Sequence, residues 1–235
     1  MRRLLSFLNL VFTTVFFSII ALILYPFDRK GGKINKLGRL WAIVHLKVCG
    51  IKVSLEGLEN ISEPPYIFMC NHQSELDIFA LLSSLRLSVK WIAKKELFFM
   101  PFLGWLLKSG RNISLDRENP REALKAMNEA AQKIRDGMNI IIFPEGTWSK
   151  DGTLLPFKKG GFFLALRAGV PIIPIGIEGT GKLQPEGCFV PREKGLIHIT
   201  IGEPVYTKKE GHFTKTRLML EVRSRIERLI GCREN

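Results

Sequence analysis

Cysteine is scarce in this chain. There are 4 in 235 residues, and Cys49, Cys70, Cys188 and Cys232 fall at neither CxxC nor metal-ligand spacing, which excludes a disulfide scaffold. Internal repeats and low-complexity tracts are absent. So are the G-x-S-x-G elbow and the H-E-x-x-H helix, which removes the commonest hydrolase readings. Tyrosine is rare, 3 against 16 Phe, and acids are outnumbered, 22 Asp+Glu against 35 Lys+Arg. The resulting charge of +13 calls for an anionic partner: nucleic acid, a phospholipid surface or an acidic protein. Nucleic acid fits poorly, because no helix combines a basic stripe with aromatics. Apolar residues, by contrast, make up 46% of the chain, which excludes disorder.

Leu4 to Tyr25 is a run without a charge, LLSFLNLVFTTVFFSIIALILY. As a helix it extends about 33 Å, enough to cross a hydrocarbon core. It is too long for a signal-peptide h-region and ends in no A-x-A-like site. Arg2 and Arg3 precede it, and Arg29, Lys30, Lys33, Lys36 and Arg39 follow. This asymmetry favours a chain body on the cytoplasmic side, on an inner membrane if the source is bacterial. Ser6, Asn9 and Thr13 share one face, Gly31-Gly32 can turn the chain, and Leu37 to Val48 reads as a second helix. A single crossing and a two-helix hairpin in one leaflet both fit. Residues 1–50 are expected to form membrane-anchoring helices and residues 51–235 a catalytic domain.

Beyond Ile51, short β-branched runs alternate with helical ones. Strands are expected at Pro65–Cys70, Ser88–Ala93, Met138–Phe143, Pro171–Ile177 and Leu196–Ile201. Helices are expected at about Glu75–Leu85, Leu97–Leu107, Asn119–Gly137, and from about Thr214 with Met219, Val222, Ile226 and Leu229 on one face. This alternation predicts an α/β fold, a mostly parallel sheet flanked by helices. Gly176 to Lys182 nearly spells a phosphate-binding loop. However, Leu183 stands where a hydroxyl would reach Mg²⁺, and Pro185 interrupts the supporting helix.

Directly after the strand ending in Cys70 comes Asn71-His72-Gln73-Ser74-Glu75-Leu76-Asp77. Strand ends that open into helices are where α/β folds hold ligands. Asp77, one helical turn beyond His72, can fix the imidazole tautomer and leave the other nitrogen as a general base. Ser74-x-x-Asp77 is equally a helix-capping box. Cys70 reads as a buried strand-end thiol rather than a nucleophile. A second strand ends in Pro144-Glu145-Gly146-Thr147-Trp148-Ser149, suited to hydroxyl and phosphate groups, though a capped tight turn would look the same. Between the two lie Lys94-Lys95-Glu96 and Ser114-Leu115-Asp116-Arg117.

The ordered blocks NHQSELD, KKELFFMPFLGW with SLDR, FPEGTWS, PFKKGGF and VPIIPIGIEGT resemble the glycerolipid acyltransferase superfamily. Among its members they are most similar to the 1-acyl-sn-glycerol-3-phosphate acyltransferases. The resemblance covers about Pro64 to Thr180. It implies that His72, oriented by Asp77, deprotonates the sn-2 hydroxyl of a lysophospholipid, which attacks the thioester of acyl-CoA or acyl-acyl carrier protein. It further implies no cofactor beyond that co-substrate. Gln73, Ser74, Lys94, Arg117, Glu145, Gly146 and Thr147 are implied as substrate-binding residues, with Lys158 and Lys159 as further phosphate candidates. The implied partners are a membrane, a lysophospholipid and the acyl donor, and the product is phosphatidic acid.

One position departs from the pattern. The family usually has Arg after FPEGT, and this chain has Trp148. An indole cannot supply bidentate donors to a phosphate. Lysophosphatidylglycerol, lysophosphatidylcholine and lyso-ornithine lipids therefore stand beside lysophosphatidate as acceptors. A thioester hydrolase and a non-catalytic lipid-binding protein are the competing classes.

Overall fold

A computed structural model describes residues 1–207 and 214–231. The chain opens with α1 (Arg2–Leu24), a 3₁₀ turn at Tyr25–Phe27, and α2 (Gly32–Cys49), which returns alongside α1. Asp28 sets the start of α2: its Oδ1 accepts the Gly32 N–H at 3.0 Å and its Oδ2 the Ile34 N–H at 2.8 Å. That cap starts the helix five residues ahead of the expected Leu37. Strand β1 (Ile51–Glu56), which the sequence reading did not resolve, follows directly.

The next elements are β2 (Ile67–Cys70), α3 (Leu76–Ser84), β3 (Val89–Lys94), α4 (Leu103–Ser109), β4 (Ile113–Leu115), α5 (Pro120–Arg135) and β5 (Asn139–Ile142). The helix expected over Leu97–Leu107 is broken in two. Lys95–Phe99 forms a 3₁₀ turn and α4 starts only at Leu103. Pro101 and Phe102, with φ at 63°, interrupt the ladder, and a Cβ on Gly104 would lie 2.4 Å from the Phe98 carbonyl oxygen. By contrast, α5 starts as expected, with Asn119 Oδ1 accepting the Arg121 and Glu122 N–H groups and Pro120 at the first position. The described chain closes with α6 (Gly160–Ala168), β6 (Ile172–Glu178), α7 (Thr180–Leu183), β7 (Gly195–Ile201) and α8 (Lys215–Gly231). Helix α8 buries Leu218, Val222 and Ile226, so Leu218 rather than the expected Met219 leads its inner face. Cys232 lies outside the described residues.

The seven strands form one sheet in the order β1-β7-β6-β2-β5-β3-β4, parallel except where β6 meets β7. Both faces are covered. Phe68, Cys70, Ile141, Ile173 and Ile175 point into a core shared with α2 and α3, while Ile67, Met69, Ile140 and Ile172 point into one shared with α5, α6 and α8. Burial on both faces is why these strands read as unbroken apolar runs.

The N-terminal helices share the first of these cores, which includes Phe17, Ala21, Ile34, Trp41, Ala42 and Leu46. The amphipathicity of α1 is inverted relative to a soluble helix. Ser6, Thr13, Ser18 and Ala21 are buried, while Leu4, Leu8, Phe12, Phe16, Ile19 and Ile23 are exposed. Both ends of α1 are tied to the body. At its start Arg2 donates to the Arg192 carbonyl oxygen. At its end the Arg111 guanidinium lies 4.8 Å from the Tyr25 ring centre, and Lys90 Nζ donates to the Gly31 carbonyl at 2.9 Å.

Candidate active site

The central strand β2 delivers Asn71 and His72 to the C-terminal edge of the sheet. Asn71 continues the pairing with its side chain: Nδ2 donates to the Ile177 carbonyl and Oδ1 accepts the Ile177 N–H, both at 2.8 Å. His72 then leaves the sheet with every backbone group held. Its N–H donates to Glu145 Oε1 at 2.7 Å, and its carbonyl accepts the Ser149 N–H at 2.8 Å. The loop after β2 and the loop after β5 are thereby fastened together at the histidine.

Its imidazole is equally constrained. Nδ1 lies 2.7 Å from Asp77 Oδ2. The same carboxylate oxygen accepts the Gln73 N–H at 2.7 Å and the Ser74 N–H at 2.9 Å. Asp77 therefore serves at once as brace of the loop ahead of α3 and as partner of the ring. Asp77 is fully buried, and Oδ2 makes all three of these contacts. The Phe143 ring stacks on the imidazole, with centroids 3.8 Å apart and planes 11° from parallel. The Trp148 indole stands at 76° to it, centroid 6.0 Å away. Among the described residues Nε2 has no protein partner, so the fixed ring leaves that nitrogen for a substrate proton.

Glu145 occupies the position expected to meet a substrate, but both its oxygens are engaged. Oε1 holds His72 and Oε2 accepts the Leu155 N–H at 2.8 Å. Burial pushes its carboxyl above the ordinary range, against those two N–H donors. Leu155 is fixed from the other side by Arg223 on α8, which donates to the Leu155 and Leu154 carbonyls at 2.7 and 2.8 Å. Glu145, Gly146, Thr147, Leu155, Pro156 and Lys158 line a cavity of about 350 Å³. Arg117 donates to the Gly146 carbonyl, so two cations, Arg117 and Lys158, flank Gly146. Gly146 has φ of 78°, the left-handed backbone that brings its carbonyl to Arg117.

The remaining expected residues are distributed differently. Lys95 rather than Lys94 organises the Arg117 segment, pairing with Asp116 at 2.7 Å. Lys94 is exposed, 3.9 Å from Glu96, and no hydrogen bond or ion pair links it to the Arg117–Gly146 contact. Ser74 is turned inward: its hydroxyl donates to the Gln184 carbonyl at 2.9 Å and accepts the Leu76 N–H at 3.3 Å. Gln73 reaches across to the Gly152 carbonyl at 3.4 Å and packs on Gly181. Burial raises the Cys70 thiol well above its ordinary pKa, which suits a packing residue and not a nucleophile. Phe143 and Gln184 were not singled out in sequence, because their contacts are made across the fold. Among the described residues no three His, Cys, Asp or Glu side chains come together as a metal cage.

Residues 52–178 match the acyltransferase family. This chain is a member of that family. It is 38% identical over 186 residues to a chloroplastic 1-acyl-sn-glycerol-3-phosphate acyltransferase of Brassica napus, covering 78% of this chain and 54% of that protein. It is 34% identical over 181 residues to the 1-acyl-sn-glycerol-3-phosphate acyltransferase of Pseudomonas aeruginosa, covering 77% and 68%. The chain spans about half the length of the chloroplastic relatives of Brassica napus and Arabidopsis thaliana that it matches. In three dimensions it is similar to the crystal structure of the 1-acyl-sn-glycerophosphate (LPA) acyltransferase PlsC from Thermotoga maritima. That likeness has a TM-score of 0.79 at 30% identity and covers 97% of this chain and 95% of the other.

Proposed function

We propose that this chain transfers an acyl group from a thioester donor to the sn-2 hydroxyl of 1-acyl-glycerol-3-phosphate, giving phosphatidic acid. The observation that carries this reading is the buried His72–Asp77 pair at 2.7 Å, joined through Glu145 to a cavity that Lys158 lines and whose Gly146 carbonyl Arg117 holds. His72 Nε2 accepts the hydroxyl proton while Asp77 stabilises the imidazolium. The oxygen attacks the thioester carbon, the tetrahedral intermediate collapses, and the sulfur leaves with the proton that His72 returns. No acyl-enzyme is required. Arg117 and Lys158 bind the acceptor phosphate, and Glu145 holds the His72 backbone. Gln73 and Ser74 act through the loop they brace, and Thr147 contacts the acceptor from the cavity rim. The donor is acyl-CoA or acyl-acyl carrier protein, both anionic, and both suited to a chain of charge +13.

The proposal extends to the membrane. A helix of about 34 Å with both ends tied to the body fits a chain that lies in one leaflet better than one that crosses the bilayer. The exposed face of α1 continues toward Leu97, Phe99, Met100 and Trp105, which are also exposed. The catalytic unit then sits on the cytoplasmic face, a bacterial inner membrane being the fitting location for a chain of this kind. Purified protein presented with lysophosphatidate, lysophosphatidylglycerol, lysophosphatidylcholine and lyso-ornithine lipid tests the acceptor. Turnover of lysophosphatidate above the others is expected; turnover of lysophosphatidylglycerol alone would overturn it. That second reading has one specific support, the Trp148 indole beside His72 where the family usually has a guanidinium.

A further inference from the structure

One segment carries surface chemistry that the reaction leaves unexplained. Between α7 and β7 the chain runs from Gln184 at the catalytic end of the sheet to the beginning of α1. Phe189 is 77% exposed although its neighbours Val190 and Pro191 are buried. Its ring lies edge-on to that of Phe7 on α1, with centroids 6.3 Å apart, so it extends the outward apolar face of that helix. Arg2 donates to the Arg192 carbonyl and Arg192 to Cys188 Sγ, which brings two cations to this patch, and along the chain Lys182, Arg192 and Lys194 outnumber the acids Glu186 and Glu193. Glu186 is itself paired with Lys150 at 2.9 Å.

The inner end of the segment is bonded to the catalytic loop. The Gln184 carbonyl accepts the Ser74 hydroxyl at 2.9 Å, and its Nε2 donates to Glu75 at 3.3 Å and to the Cys188 carbonyl at 3.0 Å. One side chain thus links the residues just after His72 to the base of the Phe189 tip.

We propose that residues 185–191 form a second membrane-contacting element. Phe189 enters the same phospholipid leaflet as α1, the bordering cations meet anionic headgroups, and Gln184 transmits this seating to the His72 loop. The inference rests on the reading of α1 as lying in a leaflet. Continuity with that apolar face and the surplus of positive charge select an anionic lipid surface over a protein partner.

The test uses the full chain as Phe189→Trp and Phe12→Trp variants, with Phe12 on the exposed face of α1. Each is mixed with phosphatidylglycerol vesicles bearing brominated acyl chains, and quenching is measured as the excess over wild type. Both variants should show excess quenching. Quenching of Phe12→Trp alone would overturn the second contact and leave the α1 reading standing, while quenching of neither would remove both. Activity tests the coupling, with the donor held constant. Phe189→Ser and Gln184→Ala should each lose roughly three- to tenfold in turnover of vesicle-embedded lysophosphatidate relative to a monomeric short-chain lysophosphatidate. An equal change on both substrates would show that Gln184 and Phe189 do not link lipid contact to the site.

Discussion

The carboxylate of Glu145 accepts the backbone N–H of His72 at 2.7 Å, so the acid of the turn after β5 holds the main chain of the proposed general base after β2. Its second oxygen holds Leu155. Glu145→Gln keeps the size but leaves one acceptor oxygen for two buried N–H donors, a loss of about 1–3 kcal/mol. Turnover should fall roughly ten- to a hundredfold while the KM for the lysolipid stays within about threefold, with a lower melting temperature. A large rise in KM with turnover unchanged would instead make Glu145 a substrate ligand.

His72→Ala should abolish transfer, by at least two to four orders of magnitude, and leave membrane association intact. Asp77→Asn should cost a comparable factor in turnover. Asp77→Ala should in addition destabilise the fold, because the Gln73 and Ser74 N–H groups lose their acceptor. Initial-rate kinetics together with vesicle co-sedimentation separate these effects. A fully active His72→Ala enzyme would mean that the base lies elsewhere.

Lys158 lines the cavity, and both Lys158 and Arg117 flank Gly146. Loss of either charge, as Arg117→Met or Lys158→Met, should reduce kcat/KM for lysophosphatidate by roughly 10- to 100-fold, the range of a charge-assisted hydrogen bond. Neutral-headgroup acceptors should be affected far less. Trp148→Arg should shift the preference further toward the phosphate monoester. Specificity ratios from a lysolipid panel decide the point, and an unchanged ratio in all three variants would place phosphate recognition elsewhere.

Lys90 is buried at 3% exposure, and burial draws its pKa from 10.5 down to about 8, with Asp28 opposing. Between those values the unfolded chain binds a proton that the folded chain does not, so stability rises with pH across that window. The slope is at most about 1.4 kcal/mol per pH unit. Below pH 8 both states are charged and the contribution is flat. The melting temperature of the wild type should therefore gain on that of Lys90→Met from pH 8 to pH 10.5; parallel curves would contradict the burial argument.

Much of the fold was legible because β2, β5 and β6 are buried on both faces and their sequences are correspondingly apolar throughout. Strand β1 was less visible, since as an edge strand it interleaves Lys52 and Ser54 with its apolar residues. Helix α4 was misread because the periodicity of LFFMPFLGWLL continues through Pro101, where the backbone does not. At the site, His72 and Asp77 were legible through local spacing, as capping and ring orientation need only one helical turn. The contacts of Glu145, Phe143 and Arg223 join elements far apart in sequence, and no local pattern encodes them. Ser74 was implied as substrate-binding by the resemblance alone; here its hydroxyl closes onto Gln184.

The inverted face of α1 has a consequence for how the chain can be handled. Phe17 and Ala21 belong to the core that also contains Phe68 of β2, while Phe12 and Phe16 face outward. Deleting α1 to obtain a water-soluble fragment would therefore exchange one sticky surface for another and unroof the interior at the same time. Synthesis without lipid or detergent offers no single medium that suits both sides of that helix. Its yield of folded protein should depend on whether a bilayer or a micelle is present while the chain is being made.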